Sequence, residues 1–342
     1  MTTGKTLAFA LGTLMAVSPA HASEVTMRFS TFGTATTPYY VCSDRAILDQ
    51  IEEESGGRIT VETFLGGTAF ANPVMQYQQI AQGVIDMSEG VLSYTPGRFS
   101  LTEIAALPLI ADDNVVASIA LTRLAPEWLA AEFADIHLMG LVLTTPFQIH
   151  MARPAETFTS LEGRRMRVSG SAMTAMTEAF GGTAAGMPLP EVYEALQRGV
   201  LDGAIANWSA VGSFNLAEVT QQHFIADVGF GQTFFGMSRG FYESLPDDLR
   251  TLIDTRFTGE RIAEHGAECF REIDQRGLEA ARARGNEIIE VSEEDRAAAA
   301  ARLQPLIDNL IAEVEASGKP ARAFYEAFQA EMEIVRAERA NR

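Results

Sequence analysis

The chain is short of positive charge and of cysteine. Its 45 aspartates and glutamates face 26 lysines and arginines, a formal charge of −19 over 342 residues. Nucleic acids and anionic lipid surfaces need basic faces, so this balance excludes both as partners. The overall field also repels anions, so any anion site has to be a local cluster of positive groups. Cysteine occurs twice, at Cys42 and Cys269. Neither has a second cysteine at metal-ligand spacing, and the sequence does not say whether the two approach each other. Two buried thiols are expected. His137, His150 and His223 are scattered, no zinc-protease motif occurs, and no glycine loop is built to cradle phosphate. No metal or cofactor is expected.

The first 22 residues read as a leader. Lys5 supplies a positive start, Thr6–Val17 is apolar but short, and Pro19-Ala20-His21-Ala22 ends in the small-x-small pattern that signal peptidase cuts. Cleavage near Ala22 and export to the periplasm follow. No later apolar run is long enough to span a bilayer, so a soluble mature chain is expected. Losing Lys5 takes its formal charge from −19 to −20. Roughly 320 residues remain, which suggests two domains.

Residues 64–86 and 179–202 repeat one another. The first unit runs Phe64-Leu-Gly-Gly-Thr-Ala, then Pro73, Tyr77 and Gln82-Gly-Val-Ile-Asp86. The second runs Ala179-Phe-Gly-Gly-Thr-Ala, then Pro188, Tyr193 and Arg198-Gly-Val-Leu-Asp202. Each predicts strand, glycine turn, helix, a left-handed capping glycine at Gly83 or Gly199, and a buried strand opening on Val-Ile-Asp or Val-Leu-Asp. Two similar α/β units imply two lobes with a ligand cleft between them.

Elsewhere the pattern predicts strands at 24–31, 59–64, 165–169 and 232–237, and helices at 38–54, 115–133 and 172–180. Pro246-Asp247-Asp248 opens a helix that reads as continuous to about Arg284, long enough to bridge the lobes. Ser292 and Asp295 resemble a capping box, and Pro305 is expected to bend or split the helix that follows. The first lobe is assigned residues 23–147 and 233–274, the second 148–232 and 275–342.

Arg164, Arg165 and Arg167 concentrate positive charge in an acidic chain. Strand alternation sets Arg165 and Arg167 on one face, and a guanidinium fork matches a carboxylate. Asn207 and Trp208 follow the second repeat's strand, where residues face the crevice of an open α/β sheet. Gly236-Met-Ser-Arg-Gly240 matches the nucleophile-elbow spacing, which would make Ser238 a hydrolase nucleophile. The intervening Gly240–Pro246 stretch and the mid-helix setting of His265 argue against it, so no catalytic residue is assigned.

Leu161-x-Gly163-x-x-x-Arg167-Val168, Glu191-Val-Tyr-x-Ala-Leu-Gln-x-Gly-Val-x-Asp-Gly203, Ser213-Phe-x-Leu-x-Glu-Val219 and Leu245-Pro246 resemble the solute-binding proteins of tripartite ATP-independent periplasmic (TRAP) transporters. The resemblance implies a periplasmic-binding-protein-like clamshell, α/β, with crossing strands and a long interlobe helix. It implies a monomer that captures a small organic acid by hinge closure and delivers it to membrane permease subunits. It gives Arg167 the ligand carboxylate, Asn207 and Trp208 the cleft lining, and Leu189 a ligand-packing position. Phe147 stands where sialate-binding members carry another arginine, so a smaller or more apolar acid is expected, with His150 offering one hydrogen bond. Tyr39, Tyr40, Phe70 and Tyr94 are candidate first-lobe walls. The same binding fold could serve a sensor domain instead of a permease, and the residues do not separate these roles.

Overall fold

The structure is a computed structural model that describes residues 25–341; the leader lies outside them. The first half of the chain forms β1 (Val25–Ser30), α1 (Arg45–Glu54), β2 (Ile59–Phe64), α2 (Gln76–Ala81), β3 (Met87–Val91), α3 (Asn114–Leu124) and β4 (Ile136–Pro146). The second forms β5 (Gln148–Met151), β6 (Arg165–Val168), α4 (Ser171–Ala179), β7 (Thr183–Gly186), α5 (Leu189–Gln197), β8 (Gly203–Ala206), α6 (Trp208–Ser213) and β9 (Gln222–Ile225). The chain then returns through β10 (Phe230–Ser238), α7 (Arg239–Ser244), α8 (Asp247–Arg256), α9 (Glu260–Ala283), β11 (Glu287–Glu290), α10 (Glu293–Ala316) and α11 (Ala321–Ala340).

Two sheets result, ordered β2-β1-β3-β10-β4 and β11-β9-β5-β8-β6-β7. In each, three strands from one half of the chain run parallel, and one strand from the other crossing inserts antiparallel beside them: β10 against β3, and β5 against β8. The chain therefore crosses between sheets at Phe147 and again at 226–229. All nine residues of β10 are buried, as a strand covered on both faces requires.

The repeat is visible in the hydrogen bonds. Gly83 and Gly199 both take φ of 69°, and each N–H closes a helix end on Ile80 O or Leu196 O. Asp86 N donates to Arg28 O and its carboxylate accepts from Arg28 N. Asp202 N donates to Arg165 O and its carboxylate accepts from Arg165 N. The same aspartate lock thus ties the new strand to its parallel neighbour in each lobe. The strands start just after the Val-Ile-Asp and Val-Leu-Asp triplets, at Met87 and Gly203, and Val84 and Val200 are exposed.

The expected helix from residue 246 to 284 is two helices. Gly259 adopts φ of 83° and donates to Met139 O at 2.7 Å, which separates α8 from α9. α9 packs on α3 and β4 of the first lobe and on α6 of the second. A Cβ at Gly277 would lie 1.9 Å from Trp208 O, so glycine is what allows α6 to cross α9 backbone to backbone. Pro305 lies inside an unbroken α10, where buried Leu303 and Ile307 hold the flanking turns. α11 packs on α3, outside the second lobe to which residues 275–342 were assigned. Cys42 and Cys269 are joined in a disulfide, Cα atoms 5.8 Å apart. This corrects the expectation of two buried thiols. The sequence hid the pairing because only the return of α9 over the first lobe brings the two residues together.

Candidate ligand-binding site

A cavity of about 710 Å³, mouth included, lies between the lobes. Its second-lobe wall begins with Arg167. It shares a face of β6 with Arg165, but Arg167, paired with Ala204 of β8 inside the sheet, is 2 % exposed, while Arg165 at the strand's start is exposed. Nε donates to Met187 O at 2.9 Å, Nη1 to Ile205 O at 3.0 Å and Nη2 to the Tyr94 hydroxyl at 3.3 Å. A guanidinium has five N–H donors, so one hydrogen on each terminal nitrogen remains. No acid pairs with Arg167 among the described residues. Burial lowers its pKa from the ordinary arginine value, and the nearby Tyr94 phenol opposes that shift.

Two further donors adjoin it. The Tyr94 hydroxyl accepts from Arg167 Nη2 and, at 3.0 Å, from Leu189 N, which leaves its own proton to donate. Asn207, just past the end of β8, uses Oδ1 to cap α6 through Ala210 N, and its Nδ2 is buried without a partner. β6 and β8 are parallel neighbours, so Arg167 and Asn207 stand at adjacent strand ends, where α/β sheets bind ligands.

Aromatic rings make the sides. Tyr39 stacks on Phe270 with centroids 4.1 Å apart; the disulfide joins the same two segments. Phe32 packs at a tilt to Tyr94, and Tyr40, Phe147 and Phe214 complete the lining. The first-lobe wall also carries two buried acids. Burial pushes Glu89 up to about 8, against the pull of the Thr233 and Thr31 hydroxyls. Burial, reinforced by Glu89, pushes Asp44 well above the carboxylate range. The lobes touch across the mouth: Ser93 bonds Ser169 at 2.6 Å and Ser171 donates to Glu103 at 2.5 Å.

The sequence pattern of the bacterial extracellular solute-binding proteins, family 7, matches residues 29–313. The chain belongs to this family. Its members are binding proteins of transport, extracytoplasmic, rather than enzymes. A TRAP solute-binding protein from Rhodoferax ferrireducens, solved with copurified benzoate, is 25 % identical, with a TM-score of 0.87 covering 91 % of this chain and 98 % of that one. A marine metagenome TRAP solute-binding protein specific for aromatic acids, solved with 3-hydroxybenzoate, is 25 % identical at a TM-score of 0.87, covering 92 % and 99 %. A solute-binding protein from Chromohalobacter salexigens is 28 % identical over 165 residues, about half the length of each chain (47 % and 47 %).

In this solute-binding protein, Arg167, Asn207, Phe147, Leu189, Tyr94, Tyr39 and Tyr40 line the cavity. Trp208, His150 and Phe70 do not. Trp208 turns into the second-lobe core with Val192 and Leu196, beside the His150 and His223 rings. His150 is fully buried behind the wall, with Nδ1 2.8 Å from His223 Nδ1 and Nε2 3.1 Å from Ala206 O. Burial and the neighbouring His223 hold it well below the ordinary histidine range. Phe70 packs edge-on to Phe64.

The setting of Ser238 differs from the sequence reading, because α7 starts immediately after it. The serine is nonetheless buried outside the cavity, no histidine bonds it among the described residues, and His137 on the neighbouring strand faces Asp254 instead. The sequence reading missed Asp44, Glu89, Thr233 and Phe270. An acid inside the otherwise uncharged strand Met87–Val91 was the available signal for Glu89.

Proposed function

We propose that this protein captures a small organic acid, of aromatic type, and hands it to TRAP permease subunits for import. The observation that carries the reading is Arg167: a buried cation without an acid partner, with two N–H groups unspent, in a cavity walled by aromatic rings. The carboxylate takes those N–H groups as a bidentate pair, with the Tyr94 proton and Asn207 Nδ2 alongside. The ring lies among Phe147, Phe32 and the Tyr39–Phe270 stack. Phenylalanine at 147 favours an apolar body over a polyol. The benzoate and hydroxybenzoate complexes of the two structural relatives support the same ligand class.

Ligand contacts from both lobes favour the closed form, because the acid then binds that form better than the open one. The contacts across the mouth are of the kind such closure makes. The chain acts in the periplasm as a monomer after its leader is cut near Ala22. A thermal-shift screen of benzoates, phenylacetates, mandelate, C4-dicarboxylates and uronates tests this, since a tight ligand raises apparent stability by mass action. Aromatic acids should raise the midpoint most. A larger shift with uronates, or none with any carboxylate, would overturn the assignment.

A further inference from the structure

Resting on that reading, we propose that the first-lobe wall of the cavity is a second recognition point, so that the acid captured here carries a hydrogen-bond donor, a hydroxyl or an ammonium, away from its carboxylate. Asp44 and Glu89 both line the cavity, 1 % and 3 % exposed. They belong to the first lobe, whereas Arg167 belongs to the second, so the two chemistries face each other across the ligand space. No arginine or lysine pairs with either acid among the described residues.

One unmet polar atom marks this wall as built for something. Asp44 Oδ1 is buried with no hydrogen-bond partner, and the residue lines the same space. Buried polar groups are ordinarily satisfied, and an orphan needs an occupant or an explanation. A cation site is the weaker account, since no group of three or more metal-binding side chains occurs among the described residues. An apolar ligand end would leave the acceptors unmet. A second carboxylate would be met only while both acids keep their protons, the case that isophthalate tests. A donor satisfies them, and Arg167 on the opposite wall fixes which end of the ligand it must occupy.

The inference is tested by calorimetry on the full mature chain with benzoate, 3- and 4-hydroxybenzoate, 3- and 4-(aminomethyl)benzoate, and isophthalate. At least one donor-bearing acid should bind at least about tenfold more tightly than benzoate, and isophthalate no more tightly. Glu89→Leu should erase that advantage. Glu89→Gln keeps an acceptor but has no proton to give up, so it should preserve a hydroxyl's advantage and abolish that of an ammonium, which needs Glu89 ionised. Should Glu89→Leu fail to bind benzoate through misfolding, Asp44→Asn and Asp44→Leu carry the same comparison. Benzoate binding as tightly as every donor-bearing acid, or an advantage that survives loss of both acids, overturns the inference alone. If no acid binds, or Arg167→Ala binds all of them unchanged, the carboxylate reading fails as well.

Discussion

Gly277→Ala should loosen the site from a position outside the cavity. The new Cβ would sit 1.9 Å from Trp208 O and 2.6 Å from Trp208 C. Both are backbone atoms, so no rotamer change relieves the clash. Ordinary Cβ contacts lie beyond about 3 Å, so α6 and α9 must part by at least about 1 Å. Overpacking of this kind costs about 1–3 kcal/mol, and the Trp208, Val211 and Ala281 core at the crossing opens with it.

α6 starts just after Asn207 and carries Ser209 and Ala210, all cavity-lining. A displacement of about 1 Å at such a wall should therefore weaken ligand binding by roughly tenfold to a hundredfold. Urea denaturation measures the first effect and calorimetry with the best acid from the screen measures the second. Gly240→Ala is the control: a Cβ there meets nothing within 4 Å, and in a helix the change should be neutral or stabilise by about 0.5–1 kcal/mol. If Gly277→Ala matched the wild type in both stability and affinity, the close crossing and its coupling to the site would be refuted.

Other consequences are equally open to measurement. Arg167→Ala should weaken carboxylate binding by about two to three and a half decades, from the ~3–5 kcal/mol lost when one partner of a buried pair is removed; Arg167→Lys should also fail, because a point charge cannot form the fork. Cys42 and Cys269 are separated by 227 residues, so loop-closure entropy sets an upper bound of about 5 kcal/mol on their bridge, and Cys42→Ser with Cys269→Ser should lower the urea midpoint. Burial holds Asp274 at about 6, although Thr145, Ser209 N and Trp208 N hydrogen-bond its carboxyl. A raised acid contributes stability that is complete below its unfolded value, near 3.8, and lost as pH rises through about 6. Denaturation between pH 4 and 7.5 should show that fall, and Asp274→Asn should flatten it.

What could be read from the sequence was local. The repeat at 64–86 and 179–202 needs only spacing and glycine chemistry, and it foretold two lobes with equivalent strand ends. Strand alternation separated Arg165 and Arg167 from Met166 and Val168, but not which arginine is buried, since that depends on where β6 enters the sheet. Asn207 and Trp208 were placed by the same rule about strand ends, yet the N-terminal turn of α6 sends the indole into the core and leaves the amide facing the cavity. His150 was drawn toward the ligand by its position in sequence, whereas strand pairing commits it to His223.

The features that depend on return of the chain were not legible. The disulfide, the Tyr39–Phe270 stack and the Gly277 crossing all require α9 to pass over elements more than sixty residues away in sequence. Asp44 stood in an ordinary helical context, and only the cavity reveals that its Oδ1 has no partner.

A crystal structure with a tight-binding aromatic acid would show whether Arg167 holds the carboxylate. The ligand should lie between the lobes, its carboxylate oxygens ~3 Å from the Arg167 guanidinium and its remote end toward Asp44 and Glu89. A carboxylate lying against the acidic wall, or a ligand outside the interlobe cavity, would contradict it.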